Sequence, residues 1–200
     1  MNKSTQIALG VTLLATAAAL YIRWRNRDKD DTTPSLLDPI VNQNLYYMEY
    51  DFLGREDLSR GYRNNNPVNI RIGSSKWAGK IYPSADKEFE QFRDLVHGYR
   101  AALVLLRGSG YISKGINTIR KIITKFAPKN ENNTAGYISR VSQMSGIDPD
   151  TVISRNDRDS LCKIVYAMSI VENDSNKYKE ANHAAGLPSM DIINKAWEIM

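Results

Sequence analysis

The chain has 200 residues, 42% apolar and 24% charged, which suits one globular domain with an appendage. Its formal net charge of +5 is spread along the sequence rather than massed in a tract, so it does not by itself mark a nucleic-acid binder. A single cysteine, Cys162, and two distant histidines, His97 and His183, exclude an internal disulfide framework, a cysteine-rich metal site and an HExxH motif. The expected chemistry therefore uses no metal and no cofactor.

Residues Ile7 to Ile22 are uncharged and almost wholly apolar, with Tyr21 and Trp24 at their end. The run is slightly short of the roughly 20 residues that span a bilayer. With aromatic residues at the interface it still reads as a single N-terminal transmembrane helix. Ala15-Thr16-Ala17 and Ala17-Ala18-Ala19 resemble signal-peptide cleavage sites. Arg23, Arg25, Arg27 and Lys29 follow directly, however, and positive charge there opposes translocation, so residues 1–27 are expected to be a retained anchor. By the positive-inside rule that cluster holds the downstream chain on the cytoplasmic side of a host membrane. Residues 28–60 read as linker and lead-in. Asp28 to about Asn44 is a tether, while Leu45 to Leu58, with Tyr46, Tyr47, Tyr50 and Phe52, fits either a short helix or an ordered entry.

The remainder, 61–200, is predicted to be mainly α with one small β-hairpin (α+β). It opens on Arg63-Asn64-Asn65-Asn66-Pro67-Val68-Asn69-Ile70-Arg71. Pro67 lacks an N–H and pushes Asn66 toward extended backbone, and asparagine favours turns. Val68, Ile70 and Ile72 then alternate with polar residues, Gly73-Ser74-Ser75 supplies a turn, and a second extended piece runs from Trp77 to Tyr82. Amides and aromatic faces together suit a sugar-binding cleft. A purely structural hairpin, with Trp77 in a minor core, suits the same residues. Helical spacing follows over Asp94–Arg107, Ile116–Phe126, from Asn133 or Thr134 to Gly146, from Asp157 through Val171, more briefly over Asn176–Ala185, and from Pro188 or Ser189 to Met200.

Glu172 is the leading chemical candidate. It continues the stripe of Leu161, Val165 and Met168, so its carboxyl is expected to leave from the apolar face. A carboxyl held among apolar neighbours has a raised pKa and can donate a proton near neutrality, as in lysozyme. The alternative places Glu172 beyond the helix end, solvated. Other acids flank the hairpin: Asp86, Glu88 and Glu90 after it, and Glu49, Glu56 and Asp57 before it. A hydrolase with paired carboxylates needs a second one about 5 to 9.5 Å away, whereas a lytic transglycosylase needs only one. His97 reads as a surface or half-buried residue and Cys162 as inert packing. There is neither a GxSxG elbow nor a phosphate-cradling glycine loop.

Gly61-Tyr62-Arg63-Asn64-Asn65-Asn66-Pro67-Val68-Asn69-Ile70-Arg71 is followed by Trp77-x-Gly79, Phe89-x-x-Phe92, His97-Gly98-Tyr99-Arg100-Ala101, Thr118-Ile119, Ala127-Pro128, Glu131-Asn132-Asn133-Thr134 and Tyr137-Ile138. This series resembles a group of phage proteins patterned G-I-R-N-N-N-P-G-N-I…W-x-G…F…G-x-R-A…T-I…W-A-P…E-N-x-T-x-x-Y-I. They are described as virion structural proteins or as lysozyme-like, peptidoglycan-cleaving proteins. The resemblance covers about residues 61 to 175. It departs at Val68, where the pattern has glycine, and at Phe126, where it has tryptophan, so position 68 is not expected to need a positive φ.

The block is also similar to the hairpin region of flagellar-type glucosaminidases (N-L-F-G-I-K…W-x-G…F-R-x-Y) in the lysozyme-like superfamily. There the catalytic glutamate lies on a helix before the hairpin. No such helix is evident before residue 61, whereas Ala167-Met168-Ser169-Ile170-Val171-Glu172-Asn173 resembles the glutamate-bearing helix. The resemblances imply a permuted element order in which Glu172 faces the Asn64–Asn69 turn as general acid, with Glu56 as the fallback. Asn65, Asn66, Asn69 and Trp77 would hold substrate. The implied partners are peptidoglycan glycan strands, a membrane through the N-terminal helix and other virion proteins, with no specific nucleic acid. The implied location is a virion or host membrane, and a virion that carries a membrane reconciles an anchor with a wall-active domain. The alternative is a non-catalytic, membrane-anchored virion structural protein with a lysozyme-like fold.

Overall fold

Most helix starts follow from a capping side chain that takes up an orphan N–H of the first turn. Asp94 accepts from the His97 N–H at 2.8 Å, Thr118 from Lys121 at 3.2 Å, and Asn133 from Gly136 at 3.1 Å. Asp157 accepts from Ser160 at 3.1 Å and Ser189 from Ile192 at 3.4 Å. The computed structural model describes residues 50–129 and 133–200. Over these the order is α1 (Arg60–Arg63), β1 (Lys80–Ile81), β2 (Gln91–Phe92), α2 (Leu95–Arg107), a 3-10 turn (Ile112–Lys114), α3 (Ile119–Phe126), α4 (Thr134–Ser145), α5 (Arg158–Asn173), α6 (Lys179–Ala184) and α7 (Met190–Glu198). The mainly helical expectation holds. α4 stops at Gly146, whose φ of 69° suits glycine.

α5 is the central element, packed by α1, α2, α4 and α7. Leu161, Ile164, Val165, Ala167 and Met168 are all buried. A helix apolar on several faces needs several neighbours to cover it, and each large side chain so buried contributes about 1.5–3 kcal/mol.

The extended region differs from the expected hairpin. The Ile70–Ile72 segment does not pair with Trp77–Tyr82; both lean on the chain between Glu88 and Phe92. Ile72 donates to Glu88 and accepts nothing from the Trp77 side, Glu90 donates to Ile70, and Arg71 bridges Phe89. β1 then pairs antiparallel with β2, Lys80 opposite Phe92 and Ile81 opposite Gln91.

The lead-in expected to precede residue 61 is packed into the same unit from Tyr50 onward. Leu58 is fully buried, the Leu95 N–H donates to the Tyr50 carbonyl at 2.9 Å, and Phe52 donates to the Asn65 side chain at 3.0 Å. The expected anchor over 1–27 and the tether after it lie outside the described residues. Among the described residues, no helix is long and apolar enough to cross a membrane.

Candidate active site

The asparagine turn is held by its own side chains. Asn65 and Asn69 sit at φ 51° and 52°, the left-handed region that asparagine tolerates better than other side-chain-bearing residues. Val68 does not share that conformation. Asn65 donates to Asp51 at 2.8 Å and to the Phe92 carbonyl at 3.0 Å. Asn66 donates to the carbonyls of Ile70 and Glu90, both at 2.9 Å, and accepts from the Ile70 N–H at 2.8 Å. Both are fully buried. The expected substrate contact by Asn65 and Asn66 is therefore corrected: their amides are spent on the chain itself and present no surface to a ligand.

The turn is also pinned to α2 and α5. A Cβ on Gly98 of α2 would lie 1.8 Å from the Asn65 carbonyl oxygen, and one on Gly61 would lie 2.3 Å from the Asn173 side chain. Asn173, at the end of α5, donates to the Pro67 carbonyl at 2.7 Å and to Ser169 at 2.9 Å, and accepts from Ser59 Oγ at 2.8 Å. These contacts carry the turn to the helix terminus where Glu172 sits.

Glu172 lies inside α5, not beyond its end, and is half-buried. Asn69 Nδ2 donates to its Oε2 at 2.9 Å, and the Tyr137 hydroxyl of α4 donates to its Oε1 at 2.8 Å. Burial raises the pKa of this carboxyl above the usual glutamate range, and the two donated hydrogen bonds pull the other way without cancelling the rise. Its place in the last helical turn, at the negative end of the α5 dipole, also disfavours the carboxylate. Burial and the neighbouring Glu172 push the Tyr137 phenol well up, so it remains a donor. Glu172, Val171, Tyr137, Gly136, Asn133 and Arg140 line a cleft of about 310 Å³, at the small end of ligand pockets (roughly 300–1,000 Å³).

The other candidates lie elsewhere. Trp77 packs half-buried against the core and is not among the residues lining this cleft. Glu56 is exposed and borders a different depression, with Arg63 and Tyr178. Asp86 is chelated by Arg60, whose guanidinium holds its carboxyl well below the usual range, and Glu88 pairs with Arg60 as well. Glu90 is fully buried on Lys80 at 2.8 Å. His97, buried rather than superficial, is fixed between Asp94 and Arg93 beneath Gly79. Among the described residues lining the cleft, Glu172 is the one carboxylate, and no cluster of His, Cys, Asp and Glu suited to a metal occurs among the described residues. Tyr137 and Asn173 were not anticipated as partners of the site. The usable signal was that a tyrosine on a core stripe still needs a partner for its hydroxyl.

A helical domain built on this turn, with the Glu172 carboxyl bonded to Asn69, has a relative among phage proteins. The chain is 38% identical over 125 residues, 61% of its own length and 76% of the other's, to Protein P5 of Pseudoalteromonas phage PM2, and it belongs to that protein's family. No broader protein-family profile matches it.

Proposed function

We propose that this chain is a virion-associated peptidoglycan-cleaving enzyme that acts on glycan strands during host-wall penetration or lysis, with Glu172 as general acid. The observation that supports it is the Glu172 carboxyl itself, raised in pKa by burial, set in the wall of a cleft and bonded to Asn69 of the turn. In the protonated state it donates to the glycosidic oxygen, the C1–O bond breaks, and positive charge develops on the muramyl ring. Asn69 and Tyr137 then stabilise the carboxylate left behind. The proposed course is that of a lytic transglycosylase, which needs a single carboxyl: the cation is captured by the substrate's own C6 hydroxyl, whose proton returns to Glu172. Its product is a 1,6-anhydro sugar, whereas the muramidase course ends on a reducing sugar. An N-terminal anchor over 1–27 would keep the domain on a membrane that the particle carries to the wall.

A second reading rests on the same hydrogen bonds. Both Glu172 oxygens are engaged by donors from the turn and from α4, which also describes a polar knot tying three segments of a non-catalytic virion protein. Dye release from labelled sacculi by the full chain separates the two. Release by the wild type and its loss in Glu172→Gln supports the enzyme, whereas binding to sacculi with no release in either supports the structural protein.

A further inference from the structure

Arg140 shares the cleft with Glu172 and is exposed. It lies three residues after Tyr137, hence on the same face of α4. It makes no ion pair among the described residues, unlike Arg60, Arg120 and Arg55, each chelated by a carboxylate. Nor is it the counter-ion of Glu172: burial, Asn69 and Tyr137 account for that carboxyl, while the charge of Arg140 is felt by the Tyr137 phenol. A planar guanidinium fork lining a small cleft, with no carboxylate partner among the described residues, is suited to a carboxylate brought by the ligand.

Building on the glycan-cleaving reading, we infer that Arg140 is a specificity determinant that receives a carboxylate of the glycan, either the lactyl ether of a muramic residue or a carboxylate of its peptide stem. A neutral chain of N-acetylglucosamine alone offers no such group, so the cleft discriminates in favour of the wall polymer.

The experiment measures binding of the full-length protein, Glu172 unaltered, to soluble fragments of three kinds: chitin oligosaccharides, peptidoglycan strands stripped of peptide, and strands bearing peptide. Binding is recorded at low temperature with cleavage followed in parallel. The wild type is expected to prefer at least one carboxylate-bearing fragment over chitin by about tenfold, the scale of one partly desolvated charged pair. The preferred fragment identifies the lactyl or the stem carboxylate. Arg140→Gln is expected to abolish the preference and Arg140→Lys to keep part of it, with the wild-type preference shrinking as salt rises. Equal binding of all three by the wild type, no binding of any, or a preference that survives Arg140→Gln overturns the inference. Preference without cleavage removes the acid role of Glu172 and leaves Arg140 standing; cleavage of all three alike does the reverse.

Discussion

At Glu172, desolvation and hydrogen bonding oppose each other, and desolvation wins. Because its pKa is raised in the folded state, its favourable contribution to stability is fully present below the ordinary glutamate pKa. That contribution is lost as pH rises through the raised value. Glu172→Gln carries no charge at any pH, so its melting temperature is expected to gain on the wild type as pH is taken from 4 to 8. A gain that does not change with pH would contradict the assignment. Asn69→Gly keeps the positive φ while deleting the donor to Oε2. Losing a hydrogen bond to the charged form should move the Glu172 pKa further up, and with it the alkaline limb of the activity profile. The stripe position of Glu172 could be read from the sequence, since its spacing from Leu161, Val165 and Met168 is set by helix geometry. The inward aim of Asn65 and Asn66 could not, because an amide in a turn serves backbone or ligand equally well.

Among the elements, the joint between the asparagine turn and α5 sets the geometry of the site. Asn173→Ala removes the acceptor for Ser59 and the donor to Pro67 and Ser169. Stranding buried polar groups costs about 1–3 kcal/mol each, so a loss of roughly 2–4 kcal/mol is expected in denaturant unfolding. Gly98→Ala sets a methyl against backbone at 1.8 Å and should destabilise by a similar or larger amount, near the severe end of single substitutions at about 4 kcal/mol. Unchanged midpoints in both variants would show that the turn is not held this way. Helix limits were mostly legible because caps are local: Asp94, Asp157 and Ser189 announce starts that the backbone then uses, whereas the start expected at Ile116 falls at Ile119, behind the Thr118 cap. Strand pairing was not. Alternation around Ile70 indicates extended chain, but its partner near Phe89 lies far along the sequence, and the pairing partner is set by the packed fold rather than by the alternation.

For the molecule as a whole, the acid and its partner in the turn stand 103 residues apart in sequence and 2.9 Å apart in space. On the proposed reading, the domain is delivered by a particle and kept on a membrane by the apolar run near the N-terminus. The full chain is expected to float with liposomes, and a chain lacking residues 1–27 to stay at the bottom of the gradient. The most direct test of the whole scheme is solubilisation of purified sacculi, with mass analysis of the fragments, by full-length wild type and Glu172→Gln at matched folding. The expected result is anhydro-muramyl products from the wild type and a rate at least about 100-fold lower in the variant, the scale of a lost general acid. Undiminished solubilisation by Glu172→Gln would contradict the catalytic assignment.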